Sequence, residues 1–342
     1  MSPPVAGDVG AAPRTISIKQ ALYEALAEAL ETDPRVILMG EDIGPYGGAF
    51  GVTQDLWRRF GPERVIITPI SENSFVGTAL GASMTGLRPV VEIMFMDFIT
   101  LAMDQLVNHA AKVRYMYDGQ YHAPLVVRTA FGGGRGYGPS HSQSLESWFL
   151  SVAGLKTVCP STPADARGLL LQAIADDDPV LFLEHKLLYG EEGPVGSATG
   201  SAEDAVPPIG RAVVRRPGED ISVIAYGWMC RAAQQLAEGL ETEGVSCEVI
   251  DLRSLKPLDR ETLAASVSRT GRAVILEEGN RTGGVGAEVA AFLAEECLES
   301  LRGRVVRVGA ADVPLPAAPS LERAVLPQLE DIVDACRRAF AW

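Results

Sequence analysis

The sequence has few features that would point to a secreted, membrane-bound or nucleic-acid-binding protein. Its five cysteines (Cys159, Cys230, Cys247, Cys297, Cys336) stand singly, the nearest two 17 positions apart, and no CxxC occurs. That pattern excludes a zinc framework and a disulfide scaffold, and reads as reduced thiols in a cytoplasmic protein. Long apolar runs are also missing. The most apolar region, 75–103, is interrupted by Arg88, Glu92 and Asp97, which excludes a membrane span. Positive charge is scarce: 30 Lys and Arg stand against 44 Asp and Glu, a net charge of −14. Such a chain repels a phosphate backbone, so no nucleic-acid partner is expected. No GxxxxGK[ST] occurs, and the glycine run at 283–288 lacks a full GxGxxG, so neither common nucleotide fingerprint is present.

What is there is ordinary globular sequence, 342 residues long with 47% hydrophobic and 22% charged residues. That length predicts about two domains. Residues 1–14 read as a loose tail. Ser17 and Gln20 form a capping box ahead of an apolar stripe at Ile18, Leu22 and Leu26, which predicts a helix ended by Pro34. Short apolar runs then alternate with helical segments: strands near 36–39, 65–67, 89–94, 125–127, 155–158 and 180–183, with helices over 75–85, 101–117 and 164–175. The Gly-, Ser-, Pro- and acid-rich stretch 191–208 reads as a linker. Beyond it the alternation restarts, with strands near 222–226, 247–250, 273–276 and 305–308 and helices over 231–241, 287–301 and 327–339. The expectation is an α/β chain of two domains, 15–190 and 209–342, each a doubly wound, mainly parallel sheet.

Several residues could carry chemistry. Glu72 follows a strand and precedes a Gly- and Ala-rich helix. Ligands bind at the carboxyl ends of strands in such sheets, so Glu72 is either a desolvated proton shuttle or an ordinary helix-start acid. His141 ends a run with five glycines in 132–138. It is either an acid/base or substrate-contacting group on a mobile loop, or a turn histidine capped by serines. His109, His122 and His185 read as structural. The run 283–288 is a phosphate cradle or, better, a helix-start turn. Asp176-Asp177-Asp178 is a solvated turn or a hard-cation site.

Taken together, the motifs MGEDIGPYGGAFGVT (39–53), FGPERVIITPISENSFVGTALGASMTGLRPVVEIMFMDF (60–98), HSQSLESWF (141–149), GLKTVCPSTPADARGLLLQAIADDDPVLFLEHKLLYG (154–190), VIDLRSLKPLD (249–259) and EEGNRTGGVGAEV (277–289) resemble one family. It is the β subunit of the E1 component of thiamine-diphosphate-dependent 2-oxoacid dehydrogenase complexes: pyruvate, branched-chain and acetoin types. The resemblance runs from about Thr15 through nearly the whole chain. It implies a transketolase-like pyrimidine-binding domain followed by a transketolase C-terminal domain.

The resemblance also implies roles. Glu72 would hydrogen-bond the aminopyrimidine ring of thiamine diphosphate and favour the imino form that removes the C2 proton. Phe98 would pack on that ring. His141 would position substrate and assist acyl transfer to lipoyl sulfur. Leu125, Ala173, Ile174, Asp176 and Asp178 would hold a structural K⁺. The family often has Gln or Glu before the histidine, where this chain has Ser140, which marks an altered acyl pocket. The GDG…N motif that holds Mg²⁺ and diphosphate is absent; in the family the α subunit carries it. The implied partners are therefore an E1 α subunit in an α2β2 heterotetramer, an E2 dihydrolipoyl acyltransferase and a small 2-oxoacid, most simply pyruvate. Acetoin or a branched 2-oxoacid is the alternative substrate. A non-catalytic binding protein on this fold would have lost Glu72 or His141, and a self-sufficient transketolase-like or nicotinamide enzyme would need the missing motifs.

Overall fold

The computed structural model describes residues 14–196 and 206–340. The expected tail at 1–13 and the part of the expected linker at 197–205 lie outside them. The strands of the first half are β1 (Arg14–Ser17), β2 (Val36–Gly40), β3 (Val65–Ile67), β4 (Arg88–Ile93), β5 (Val126–Phe131), β6 (Lys156–Val158), β7 (Val180–His185) and β8 (Glu192–Val195). Those of the second half are β9 (Val213–Arg216), β10 (Ile221–Ala225), β11 (Cys247–Asp251), β12 (Ser254–Lys256), β13 (Ala273–Asn280) and β14 (Val305–Ala310).

Two mainly parallel sheets form, as the alternation predicts. The larger runs β12-β6-β7-β5-β4-β2-β3, parallel except for β12. The smaller runs β14-β13-β10-β11-β9, parallel except for β9. Strands β2, β5 and β7 are buried along their whole length, because helices cover both faces of a parallel sheet. One apolar cluster runs from Met39 and Val91 through Phe149 and Leu255 to Ile275 and Leu293, so the core is continuous across both halves.

Three departures from expectation change the sheets and the long helix. Glu192–Val195, inside the expected linker, is β8, paired antiparallel with β1. Its Gly193 and Pro194 suit a short two-stranded ribbon, where an edge strand tolerates proline. The Ser254–Lys256 strand leaves the second half and completes the first sheet beside β6, a pairing invisible in local sequence. The helix expected over 101–117 starts earlier, at Met96. It widens into a π-helical segment at Asp104–His109 between tighter turns at Thr100–Ala102 and Ala110–Lys112. Such widened turns recur at functional sites.

Charged networks tie the layers together. Arg128 on β5 donates to Glu184 on β7 at 2.7 and 2.8 Å and to Glu92 on β4 at 2.8 Å, and the Tyr189 hydroxyl donates to Glu184 at 2.7 Å. Burial pushes the Glu92 carboxyl up, against the pull of Arg128. Across the two halves, buried Arg253 donates to Asp165 at 2.7 Å and to the carbonyls of Arg211 and Pro207 at 2.8 and 3.0 Å. Breaking a buried charge pair typically costs about 3–5 kcal/mol, so these pairs fix the geometry of the halves.

Candidate active site at the strand ends

From β2 the chain moves outward to β3; from β4 it moves the other way to β5. The adjacent β2/β4 pair is thus the switch point, where open α/β sheets leave a crevice at the carboxyl ends. The site residues leave those ends. Glu41 follows β2, Glu72 the turn after β3, Phe95, Asp97 and Phe98 the end of β4, His141 the loop after β5, and Lys186 follows β7.

Glu72 is the first residue of helix Glu72–Met84 and is 5% exposed. The helix begins three residues before the expected 75, since its polar first turn Glu72-Asn73-Ser74 hides the start from an apolar pattern. The sequence analysis does not single out Glu41, which directly follows β2. Glu41 is 6% exposed, and its Oε1 has no partner. Burial raises the Glu41 carboxyl, and the neighbouring Glu72 charge raises it further. Two buried carboxylates thus share one end of the crevice. Just before Glu72, Ile70 is 83% exposed. Buried acid beside bare apolar surface describes a site with one wall missing.

Phe98 and His141 do come together, ring centroids 5.2 Å apart and edge to face, with Phe95 5.0 Å from His141. Ser140 Oγ lies 3.0 Å from His141 Nδ1. Both Phe98 and His141 are half-buried, so each keeps an open face. Gln143 donates to Asp97 Oδ1 through its backbone N at 3.2 Å and its side chain at 2.9 Å. Asp97 Oδ2 and Ser142 Oγ are buried without partners.

The glycine run before His141 is anchored at several points, which corrects the expectation of a mobile loop. Gly133 N donates to Glu278 at 2.6 Å, and Gly134 N and Gly136 N each donate to Glu322 at 2.9 Å. Glycine is required at the first position: Gly132 has φ +93°, and a Cβ there would lie 2.3 Å from His185 Nε2. His185, read as structural, pairs with Glu278 at 2.8 Å in the buried junction of the two sheets. Nearby, the Tyr226 hydroxyl donates to Glu146 at 2.6 Å, and burial pushes Glu146 up to about 7. The run 283–288 is the helix-start turn of Val285–Glu296. Glu277 fills that N-terminus, accepting from Gly286 N at 3.1 Å.

Leu125, Ala173, Ile174, Asp176 and Asp178 gather at the opposite end of the sheet. They lie about 20 Å from the crevice, the length of a six-residue strand. The acidic run is neutralised by cations, with Asp177 exposed and Asp176 and Asp178 half-buried. Arg88 donates to the carbonyls of Ile174 at 3.0 Å and Asp176 at 2.9 Å and to Asp177 at 2.6 Å. Lys156 pairs with Asp176 and Arg114 with Asp178. Leu125 O accepts from Val180 N at 2.9 Å, and Ala173 O from Asp176 N at 3.3 Å. Three acids face three cations, and each carbonyl already has one donor. Among the described residues, no group of three or more His, Cys, Asp or Glu side chains forms a metal cluster.

The crevice fits the cofactor's pyrimidine end: a buried carboxylate for a ring edge, an aromatic face, and unpartnered buried polar atoms. Comparisons with known proteins agree. Residues 14–192 match the model of the transketolase pyrimidine-binding domain and residues 210–332 that of the transketolase C-terminal domain. The chain is 46% identical over 329 residues to a mitochondrial pyruvate dehydrogenase E1 component subunit beta-2 from Oryza sativa subsp. japonica, covering 96% of this chain and 87% of that one. It is 43% identical to a 2-oxoisovalerate dehydrogenase subunit beta from Bacillus subtilis, covering 95% and 98%. It is 40% identical to the beta subunit of an acetoin:2,6-dichlorophenolindophenol oxidoreductase from Cupriavidus necator, covering 95% and 97%. The fold superposes on a split-gene transketolase, an inactive β4 tetramer, with a TM-score of 0.76 and 26% identity, covering 95% and 98%. The chain therefore belongs to the E1 β-subunit family of the thiamine-diphosphate-dependent 2-oxoacid dehydrogenases.

Proposed function

We propose that this chain is the β half of an α2β2 pyruvate dehydrogenase E1, acetyl-transferring, which oxidatively decarboxylates pyruvate and passes the acyl group to the lipoyl arm of an E2 dihydrolipoyl acyltransferase. The observation that carries the proposal is Glu72: buried, at a helix start, beside exposed Ile70, in a sequence with no diphosphate motif. The α subunit supplies the missing wall and holds Mg²⁺ and the diphosphate. Bound thiamine diphosphate supplies the electron sink for the carbon that loses carbon dioxide.

This chain's own residues do the rest. Glu72 presents a carboxyl to the pyrimidine edge in a place screened from water. Phe98 offers a ring face. His141, held between two phenylalanine rings with its Nδ1 on Ser140, moves a proton during acyl transfer. The buried free thiols support placing the chain in the cytoplasm, a reducing compartment.

Pyruvate is chosen because the 46%-identical relative bears that name; 2-oxoisovalerate and acetoin are the alternatives. With the α subunit added, kcat/KM for pyruvate is expected to exceed that for either alternative by roughly tenfold or more, the scale of a methylene-sized pocket difference. A preference for 2-oxoisovalerate or acetoin moves the chain to that branch. Assembly with α but no turnover of any of the three supports the non-catalytic reading.

The proposal includes K⁺ at Leu125, Ala173, Ile174, Asp176 and Asp178, supported by the oxygen donor set: each carbonyl has a second lone pair. A ligand that binds only the folded state stabilises it by RT ln(1 + [L]/Kd). The thermal midpoint is expected to rise with K⁺ more than with equal Na⁺, and Asp176→Ala to flatten the rise. Indifference to K⁺ over Na⁺ shows that Arg88, Arg114 and Lys156 alone neutralise the turn.

A further inference from the structure

Lys186 is fully buried, with no exposed surface, yet the roles assigned so far make no use of it. A lysine is rarely buried this fully unless paired. Lys186 Nζ donates to the backbone carbonyl of His141. It also sits 5.3 Å from the ring centroid of Phe95 and 5.6 Å from that of Tyr137, and Phe95 is the ring against His141.

The carboxylates that anchor the His141 loop are the ones that act on Lys186. Asp97 receives Gln143, Glu278 receives Gly133, and Glu322 receives Gly134 and Gly136. The charges of all three favour the Lys186 ammonium, against burial and the charge of Arg135. Glu278 also pairs with His185; Asp97 and Glu322 form no ion pair with Arg, Lys or His among the described residues.

We infer that Lys186 is a positioning residue: its buried ammonium, lying over the rings of Phe95 and Tyr137, donates to the His141 carbonyl and holds the far end of the loop that the three carboxylates pin. The inference deepens the proposed role of His141 and rests on it for catalysis, but not for loop order. Without the ammonium, the His141 carbonyl loses its buried donor, and the far end of the loop loosens. Burial pulls Lys186 down to about 8, so the ammonium is present below that pH and lost above it. The charged and titratable groups facing it are Asp97, Glu278, Glu322, Arg135 and Tyr137.

Hydrogen exchange by mass spectrometry on the full chain assembled with its α subunit provides the test, and needs no substrate. Lys186→Met keeps the volume and drops the charge. It is expected to speed amide exchange over 132–143 about tenfold or more, with β5 unchanged and Lys186→Arg closer to wild type. In wild type, protection of the same segment, corrected for intrinsic rate, is expected to fall as pH rises through about 8, and acyl transfer to a lipoyl domain to fall with it. If Lys186→Met does not assemble, the wild-type pH series decides alone. Exchange indifferent both to pH across 7–9 and to the loss of charge overturns the inference. If exchange responds as expected while acyl transfer does not, the loop is held by Lys186 and the role given to His141 is wrong.

Discussion

Glu72→Gln is expected to slow hydrogen–deuterium exchange at the cofactor's C2 by roughly ten- to a hundredfold in the assembled enzyme. Losing a hydrogen bond to a charged group costs about 1.5–3 kcal/mol, and each 1.4 kcal/mol on a barrier is tenfold in rate. The amide keeps the size of the side chain but cannot act as the carboxyl that holds a ring proton. Fold and assembly are expected to survive. Glu72 stands at a helix N-terminus, where an acid adds only about 0.3–1 kcal/mol. Removing its charge also relieves Glu41, which Glu72 raises. Near-normal C2 exchange in an assembled mutant removes Glu72 from the mechanism.

His141→Ala is expected to separate two halves of the reaction. Acyl transfer to a lipoyl domain falls by about a hundredfold or more, the usual scale of a lost general acid or base. Decarboxylation read with an artificial electron acceptor falls far less, and cofactor binding is spared. The geometry supports this split. His141 touches Phe95, Phe98 and Ser140, while Glu72 sits on a separate element, where its charge acts on Glu41. Equal losses in the two assays place His141 before acyl transfer and end this assignment.

The layout of the site was legible because it depends on local rules. Apolar runs of three to six residues became parallel strands, Glu72 follows a strand and starts a helix as its local pattern predicts, and His141 stands at the end of a glycine run. Ser17 caps its helix, accepting from Gln20 N at 3.2 Å, while the Gln20 side chain donates to Glu24 at 3.1 Å instead of closing the expected box. The anchoring of the site was not legible, because it is made by distant residues. Glu278 and Glu322 reach the glycine loop from 145 and 188 positions away, and no sequence window contains both partners. The same holds for β12, three residues that join a sheet built by the other half. Glycines that looked like a source of mobility are there because Gly132 has positive φ and His185 leaves no room for a Cβ. Lys186 stands out in the sequence as a lone lysine in the apolar stretch VLFLEHKLLYG; its hydrogen bond to His141, 45 positions away, does not.

The central claim is that this chain holds one wall of a shared site. Isothermal calorimetry of thiamine diphosphate with Mg²⁺, on the chain alone and again with the α subunit added, tests it most directly. Weak or undetectable binding alone and Mg²⁺-dependent binding with the partner is the predicted result; tight Mg²⁺-dependent binding by the single chain contradicts it.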